Sequence, residues 1–547
     1  MKRSILILLL CVALGTGIPS DADPEQRSVL SYHGHPDRGG NFVVPGLTWD
    51  RARSLRLDED FHPRIAGQVY AQPLYWRSAG ARPAILLLAT EDNVVYAIDA
   101  NTGAQVWKRS LGAPVARSSL PCGNIDPLGI TGAPVIDESR EAIYLDAAIE
   151  TPSRPRHRVF ALSLEDGSPL PGWPVDIADS LKGKDFEPRD ENQRGALAIL
   201  GGTLYVPFGG HTGDCGQYHG FVVGISLSDP RTVTSWATRA GGGGIWAPGG
   251  VSTDGKSLFA ATGNTFDARV WSDGEAVIRL APDLRRSDDK KDFFTPSDWQ
   301  ALDVRDADLG GTNPLPLDVP TQSGAQALML ALGKDGKAYL LDRNDLGGIG
   351  GSLAVLTVAE FIVTAPAAYP ADDGVFVAFL GQGAHCRAPE RDAGLTVLKI
   401  QSGSPPAMTT AWCAPLYGEG SPIVTTTDGR SNPIVWILGA EGDNRLHGFR
   451  GDTGEPLFDG PSAGLAGLRH LQTLIATKDR LYVGADGAIY ALFFLMRGGR
   501  GRPGQRALSP RRAPQPAKQG SDASNPHLLS SRKSSPLREH AARPVTS

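Results

Sequence analysis

The sequence predicts an all-β protein, an eight-bladed β-propeller of four-stranded antiparallel blades, on three observations. Turn formers are abundant: 66 Gly and 42 Pro among 547 residues, about a fifth of the chain against roughly 12 % in ordinary proteins. That excludes a long-helix or coiled-coil design. Short apolar runs bounded by tight turns recur at spacings of roughly 45–70 residues, the repeat length of propeller blades. A closing turn of the D-x-x-T-G type followed by a tryptophan, as in Asp99 to Gly103 with Trp107, accompanies the strands, and an array of β-sandwiches would not explain that module. Hydrophobic residues make up 41 %, enough for a large core.

Residues 1–20 read as a signal peptide. Lys2 and Arg3 precede an apolar run from Ile5 to Leu14, and small residues suited to cleavage follow. The run is about half the ~20 apolar residues that a spanning helix needs, so no transmembrane segment is expected and the protein is read as exported, periplasmic or extracellular. Residues 21–60 form an N-terminal extension, and residues 61–496 the propeller. Loss of the signal leaves Cys122, Cys215, Cys386 and Cys413, an even number in a disulfide-permissive compartment. Cys386 and Cys413 fall within one β-unit and are the better pair, which leaves Cys122 with Cys215. No CxxC, CxxCH or zinc-spaced cluster is present, so thiol redox chemistry, c-type haem and structural zinc lose support.

The units follow in order. AILLLATEDNVVYAIDANTGAQVWKRSLG (Ala84 to Gly112) is a β-meander: an apolar run, a turn at Glu91–Asn93, the strand Val94 to Asp99, a turn at Asn101–Gly103, and a strand carrying Trp107. Asp99 can hold the turn amides, Gly103 can take positive φ, and Trp107 can pack between neighbouring blades. Comparable units begin at Ala133, Gly202, Gly249, Ala327, Asp373, Asn432 and Asp479, giving eight.

Residues 497–547 are rich in Arg, Pro, Ser and Gly and poor in apolar residues, and read as a disordered basic tail. They carry 11 Lys or Arg against 2 Asp or Glu, which leaves −14 on the rest of a chain whose formal net charge is −5. An acidic body argues against nucleic acid as a partner, because phosphate binding needs a basic surface.

YAIDANTGAQVW is similar to the tryptophan-docking repeat of the pyrroloquinoline quinone (PQQ) propeller superfamily, and the resemblance covers about Gly67 to Phe494. It includes PQQ-dependent dehydrogenases, quinoproteins with eight blades, and also cofactor-free binding propellers, so fold does not settle function. GGGGIWAPGGVSTDGKSLFAATGN resembles the dehydrogenase segment in which a tryptophan forms the floor under PQQ and an asparagine coordinates calcium; these are Trp246 and Asn264. A flat aromatic surface suits a planar quinone, and an amide oxygen suits a hard cation. WQALDVRDADLGGTNPLPLD resembles the aspartate-rich stretch ending in W-D-x-D, which implies Asp306 as the general base and Asp308 as a second metal ligand, with Arg305 where the family has tryptophan. GKDGKAYLLDRND implies Lys334 as the basic group facing the quinone oxygens. The family's glutamate calcium ligand has only Asp214 nearby, within one residue of its place, and the family's adjacent-cysteine disulfide is absent.

Two readings stand. One is PQQ- and calcium-dependent oxidation of alcohols or related hydroxyl compounds, with a small hydroxylated substrate and an external electron acceptor as partners. The other is a non-catalytic propeller that binds protein or carbohydrate as a scaffold.

Overall fold

The computed structural model describes residues 28–78, 82–266, 268–386 and 393–494. The expected signal peptide and basic tail lie outside the described residues. Among those described, the strands form eight small sheets arranged as propeller blades. Blade 1 contains Leu74–Trp76, Ile85–Thr90, Val94–Asp99 and Gln105–Ser110. Blade 2 runs Val135–Asp137, Ala142–Ile149, Arg156–Ser163 and Val175–Asp176; blade 3 has Ala198–Leu200, Thr203–Gly210, Phe221–Ser226 and Val233–Ala237, with Glu191–Asn192 beside its second strand. Blade 4 is Ser252–Thr253, Leu258–Thr262, Ala276–Leu280 and Phe293–Thr295, and blade 5 is Leu315–Thr321, Gly324–Leu332, Lys337–Asp342 and Ala354–Thr357. Blade 6 has Ala367–Ala371, Gly374–Gln382, Ala393–Gln401 and Ala407–Pro415, and blade 7 has Ile423–Thr426, Ile434–Leu438, Leu446–Arg450 and Pro456–Gly460. Blade 8 takes Leu474–Ala476, Arg480–Ala485 and Ala488–Phe493 from the end of the described chain, and its outer strand, Arg56–Leu57, from near the start.

The strand patterns follow from this ring. Second and third strands are sandwiched by neighbouring blades, so ILLLAT at Ile85–Thr90 is buried throughout, whereas the outer strand Gln105–Ser110 buries only Trp107. The expected turn chemistry is present. Asp99 Oδ1 accepts from the backbone N–H groups of Asn101 and Thr102, and Gly103 has φ +74°. Trp107 then docks on blade 2: its Nε1 donates to Leu164 O at 3.0 Å, and its ring lies over Gly167. Trp412 repeats the contact on blade 7, with Nε1 donating to Gly451 O at 2.8 Å and the ring over Gly454. A β-carbon at either glycine would come within 2.6 Å of the indole. Both expected disulfides, Cys122–Cys215 and Cys386–Cys413, are formed.

The stretch read as an extension is built into the propeller from residue 28 onward. Leu30 O accepts from Ile136 N–H in blade 2, Pro36 O from Thr253 N–H in blade 4, Gly39 O from Ala368 N–H in blade 6, and Gly40 O from Val424 N–H in blade 7. Asn41–Val43 pairs parallel with Ile423–Thr426, and Val29 pairs with Tyr75 in blade 1. A segment that reaches the first strands of so many blades must occupy the axis. Arg38, with no exposed surface, donates to Leu197 O at 2.9 Å beside blade 3 and to Val251 O at 2.9 and 3.1 Å beside blade 4. This axial plug crosses the central channel between a cavity of about 1250 Å³, lined by Leu30, His35 and Arg38, and the cavity that holds the candidate site.

Candidate functional site

A cavity of about 330 Å³ lies above the plug, and Trp246, Asp306, Asp308, Lys334 and Asp214 all line it. The volume is at the lower end of the range for small-molecule sites. Trp246 sits in the link between blades 3 and 4, half-buried, with Gly263 and Gly311 close to its indole; a β-carbon at these two would approach Nε1 at 3.2 Å and Cη2 at 3.4 Å. Its Nε1 donates to Asp308 Oδ2 at 3.1 Å.

The two aspartates flank the end of the helix Trp299–Arg305. Asp306 caps that helix in the left-handed region, at φ 52°, and donates its backbone N–H to Leu302 O and Asp303 O. A non-glycine residue held there is strained, as is common in functional sites. The turn throws the Asp306 carboxylate outward, 59 % exposed, where Lys334 Nζ meets it at 2.6 Å. Asp308 points inward, 5 % exposed, with Lys334 Nζ at 3.8 Å and the Asn264 backbone N–H donating to Oδ1 at 3.2 Å. Burial pushes Asp308 up to about 6 even though the Lys334 ammonium draws it down. Lys334 is itself fixed through its backbone N–H, which donates to Asp308 O at 2.7 Å, and its ammonium stands 5.9 Å over the Trp246 ring. Arg305, at the family's tryptophan position, folds back to donate from Nε to Ala301 O.

The remaining expected residues are placed differently. Asn264 meets the cluster through its backbone, and its side chain is not among the groups lining the cavity. Asp214, at φ 50°, accepts from the Tyr218 hydroxyl at 2.7 Å. The donor set therefore does not fit a divalent ion as it stands. Both Asp308 oxygens accept N–H groups, Asp214 is engaged elsewhere, and an ammonium holds the place between Asp306 and Asp308. Among the described residues no group of three or more His, Cys, Asp or Glu is arranged to hold a metal. A planar ring fits better, since the indole in the cavity wall is a flat apolar surface and the ammonium 5.9 Å from it can donate to a carbonyl oxygen.

The cavity also gathers groups to which the sequence assigned no role in the site. The Cys122–Cys215 bridge stands at its rim behind Gly213, whose β-carbon would touch Cys122 Sγ at 3.4 Å. The rim is tied further by the Thr212 hydroxyl, which donates to Asn124 Oδ1 at 3.0 Å. His470 enters from the approach to blade 8, with Nδ1 2.9 Å from Glu441 Oε1, and Arg194 enters from blade 3. His211 also lines the cavity; burial lowers it to about 4, while its Nε2 bonds Arg189 O at 3.0 Å. No local pattern marks any of these, because their neighbours come from blades distant in sequence.

No family model matches the chain, and no curated protein matches it in sequence. The fold is nonetheless similar to solved quinoprotein structures. Quinohemoprotein alcohol dehydrogenase ADHIIG from Pseudomonas putida HK5 aligns over 88 % of this chain and 82 % of its own, with a TM-score of 0.61 and 14 % identity. The quinohemoprotein alcohol dehydrogenase from Comamonas testosteroni aligns over the same shares at TM-score 0.57 and 14 % identity. A europium-containing methanol dehydrogenase aligns over 86 % of this chain and 98 % of its own at TM-score 0.59 and 14 % identity. At these identities the likeness is one of fold: this chain is an eight-bladed propeller as they are.

Proposed function

We propose that the funnel is a quinone-dependent dehydrogenase site for a small hydroxylated compound, in an exported protein. The observation that carries this reading is the convergence of an indole, two carboxylates and an ammonium from blades 4 and 5 on one cavity. Trp246 supplies the face on which PQQ would stack, and Lys334 the donor to its carbonyl oxygens. When bound, the quinone would accept the hydride of alcohol oxidation, which carries both electrons. Asp306 is the base: it is the exposed carboxylate of the pair, at the mouth of the cavity where a substrate hydroxyl can reach it, and Lys334 Nζ at 2.6 Å holds it in place. Asp308 positions rather than reacts, holding the Trp246 indole and the Asn264 backbone in place. Calcium enters the resemblance, but the donors do not fit it, and no step is assigned to it. Two disulfides agree with an oxidising compartment, periplasmic or extracellular.

The test is titration of the purified chain with PQQ, with and without Ca2+, followed by reduction of an artificial electron acceptor with primary and secondary alcohols. Asp306→Asn should abolish turnover with little loss of cofactor, and Trp246→Ala should weaken cofactor retention. Absence of quinone binding would remove the dehydrogenase reading. The unfitting metal donors favour one alternative, a propeller that binds protein or carbohydrate at the same mouth, and that result would leave it standing.

A further inference from the structure

Arg194 stands where the funnel narrows onto the axial plug. It lies between Glu191–Asn192 and Ala198–Leu200 of blade 3, and it lines both the 330 Å³ cavity and a small cavity beneath it that is walled by Tyr32, Tyr70 and Thr131. Its backbone is held on both sides. Gln193 Nε2 donates to Gly195 O at 2.6 Å, Ala196 N–H donates to Pro248 O at 3.0 Å, and a β-carbon on Gly195 would meet Gly250 Cα at 2.8 Å. The root of the Arg194 side chain is thus fixed at the cavity wall.

The other basic groups of the cavity are engaged: Lys334 by Asp306, His470 by Glu441, and His211 by Arg189 O. Arg194 differs. Among the described residues, its guanidinium makes no hydrogen bond and no ion pair with another protein group. Tyr70, Glu91, Glu441 and Glu419 act on it only through space, and burial lowers its pKa. Glu441 is already paired with His470, and burial pushes Glu91 up to about 7. A guanidinium is a planar fork of five donors that matches a carboxylate bidentately. Half-buried in the wall of the cavity, it can turn those donors toward a ligand that supplies the acceptors.

We propose that Arg194 is the recognition group for a carboxylate on the funnel's substrate, which makes that substrate a hydroxy acid rather than a neutral alcohol. The hydroxyl half of this assignment rests on the dehydrogenase reading, and the carboxylate half rests on the pocket alone. PQQ itself bears carboxylates, so the experiment separates the two sources.

The full chain is titrated calorimetrically with glycolate and with glycolamide, its neutral counterpart, in quinone-free and PQQ-loaded protein. Glycolate should bind about tenfold or more tightly than glycolamide, the span of one charge-assisted contact. Arg194→Met should remove that preference, and Arg194→Lys should restore part of it, with unfolding midpoints of both variants checked against the parent. Equal binding of glycolate and glycolamide, glycolate affinity unchanged in Arg194→Met, or no glycolate binding in either form overturns the proposal. Weakened PQQ retention in Arg194→Met with an intact glycolate preference assigns the residue to the cofactor and overturns it as well. Failure of the dehydrogenase reading shows separately, as glycolate binding without acceptor reduction by PQQ-loaded protein.

Discussion

Acid should loosen the axial plug through His33. The imidazole has no exposed surface; its Nδ1 lies 3.2 Å from Arg38 O, so that nitrogen carries the proton, and Nε2 faces the Thr473 hydroxyl at 3.5 Å. A second proton would place a cation in a dry site beside the Arg38 guanidinium. Burial accordingly lowers His33 from 6.5 to about 3, with Arg38 adding to the effect. A base with a depressed folded pKa contributes stability that is fully present above 6.5 and is lost as pH falls towards 3, at about 1.4 kcal/mol per pH unit. At pH 4.5 the loss is about 3 kcal/mol. Arg38, lowered only to about 10, stays charged throughout this window and adds no slope. Urea denaturation at pH 7.5 and 4.5, on the parent and on His33→Asn, isolates the contribution, because every other titrating group cancels in the difference. Asn does not titrate and tolerates the left-handed backbone found here, at φ 55°. The parent should lose about 3 kcal/mol more than the variant between the two pH values. Parallel losses would refute the reasoning.

Glu91 should act in the opposite sense. Burial raises it to about 7 although Gly129 N–H donates to Oε2 at 2.6 Å, so its favourable contribution is complete below 4.5 and disappears as pH rises through 7. Glu91→Gln should therefore gain on the parent by about 3 kcal/mol at pH 8 and by little at pH 4, read from denaturation midpoints. Gly167→Ala should cost about 2–4 kcal/mol, because positive φ and the Trp107 ring both oppose a β-carbon, whereas Gly201→Ala, at φ +59° in open space, should cost about 1–2. Thermal unfolding compares them, and equal costs would mean that tryptophan docking adds nothing. Asp146→Ala should cost about 3–5 kcal/mol by stranding His157, whose Nδ1 lies 2.7 Å from the buried Asp146 carboxylate. Replacing Cys122 and Cys215 together by Ser should lower stability by about 2–5 kcal/mol, since the bridge closes a 93-residue separation.

The ring of blades was legible because each blade is local. Apolar runs such as Ile85–Thr90 and Val94–Asp99 are separated by turns whose residues declare themselves, and the docking tryptophans Trp107 and Trp412 lie on outer strands. Trp246, Asp306, Asp308 and Lys334 were legible for the same reason: they lie in consecutive segments of blades 4 and 5. The plug was not. Tyr32, His33 and Arg38 sit in a polar, turn-rich stretch with no periodicity, and Arg38 is buried only because carbonyl oxygens beside blades 3 and 4 meet its guanidinium. Arg194 and His470 escaped notice likewise, since a side chain's place at the axis depends on blades that sequence order keeps far apart. Asn264 shows the limit of a motif: the residue sits beside the cluster, yet its backbone makes the contact.

Arg56–Leu57 beside Ala488–Phe493 has a consequence for biogenesis. Residues made early must wait, unpaired, until the last strands have been made, so a chain still being synthesised cannot lock. Ribosome-bound intermediates lacking the eighth blade should remain open to proteases and chaperones, and the finished molecule should unfold all at once rather than from one end.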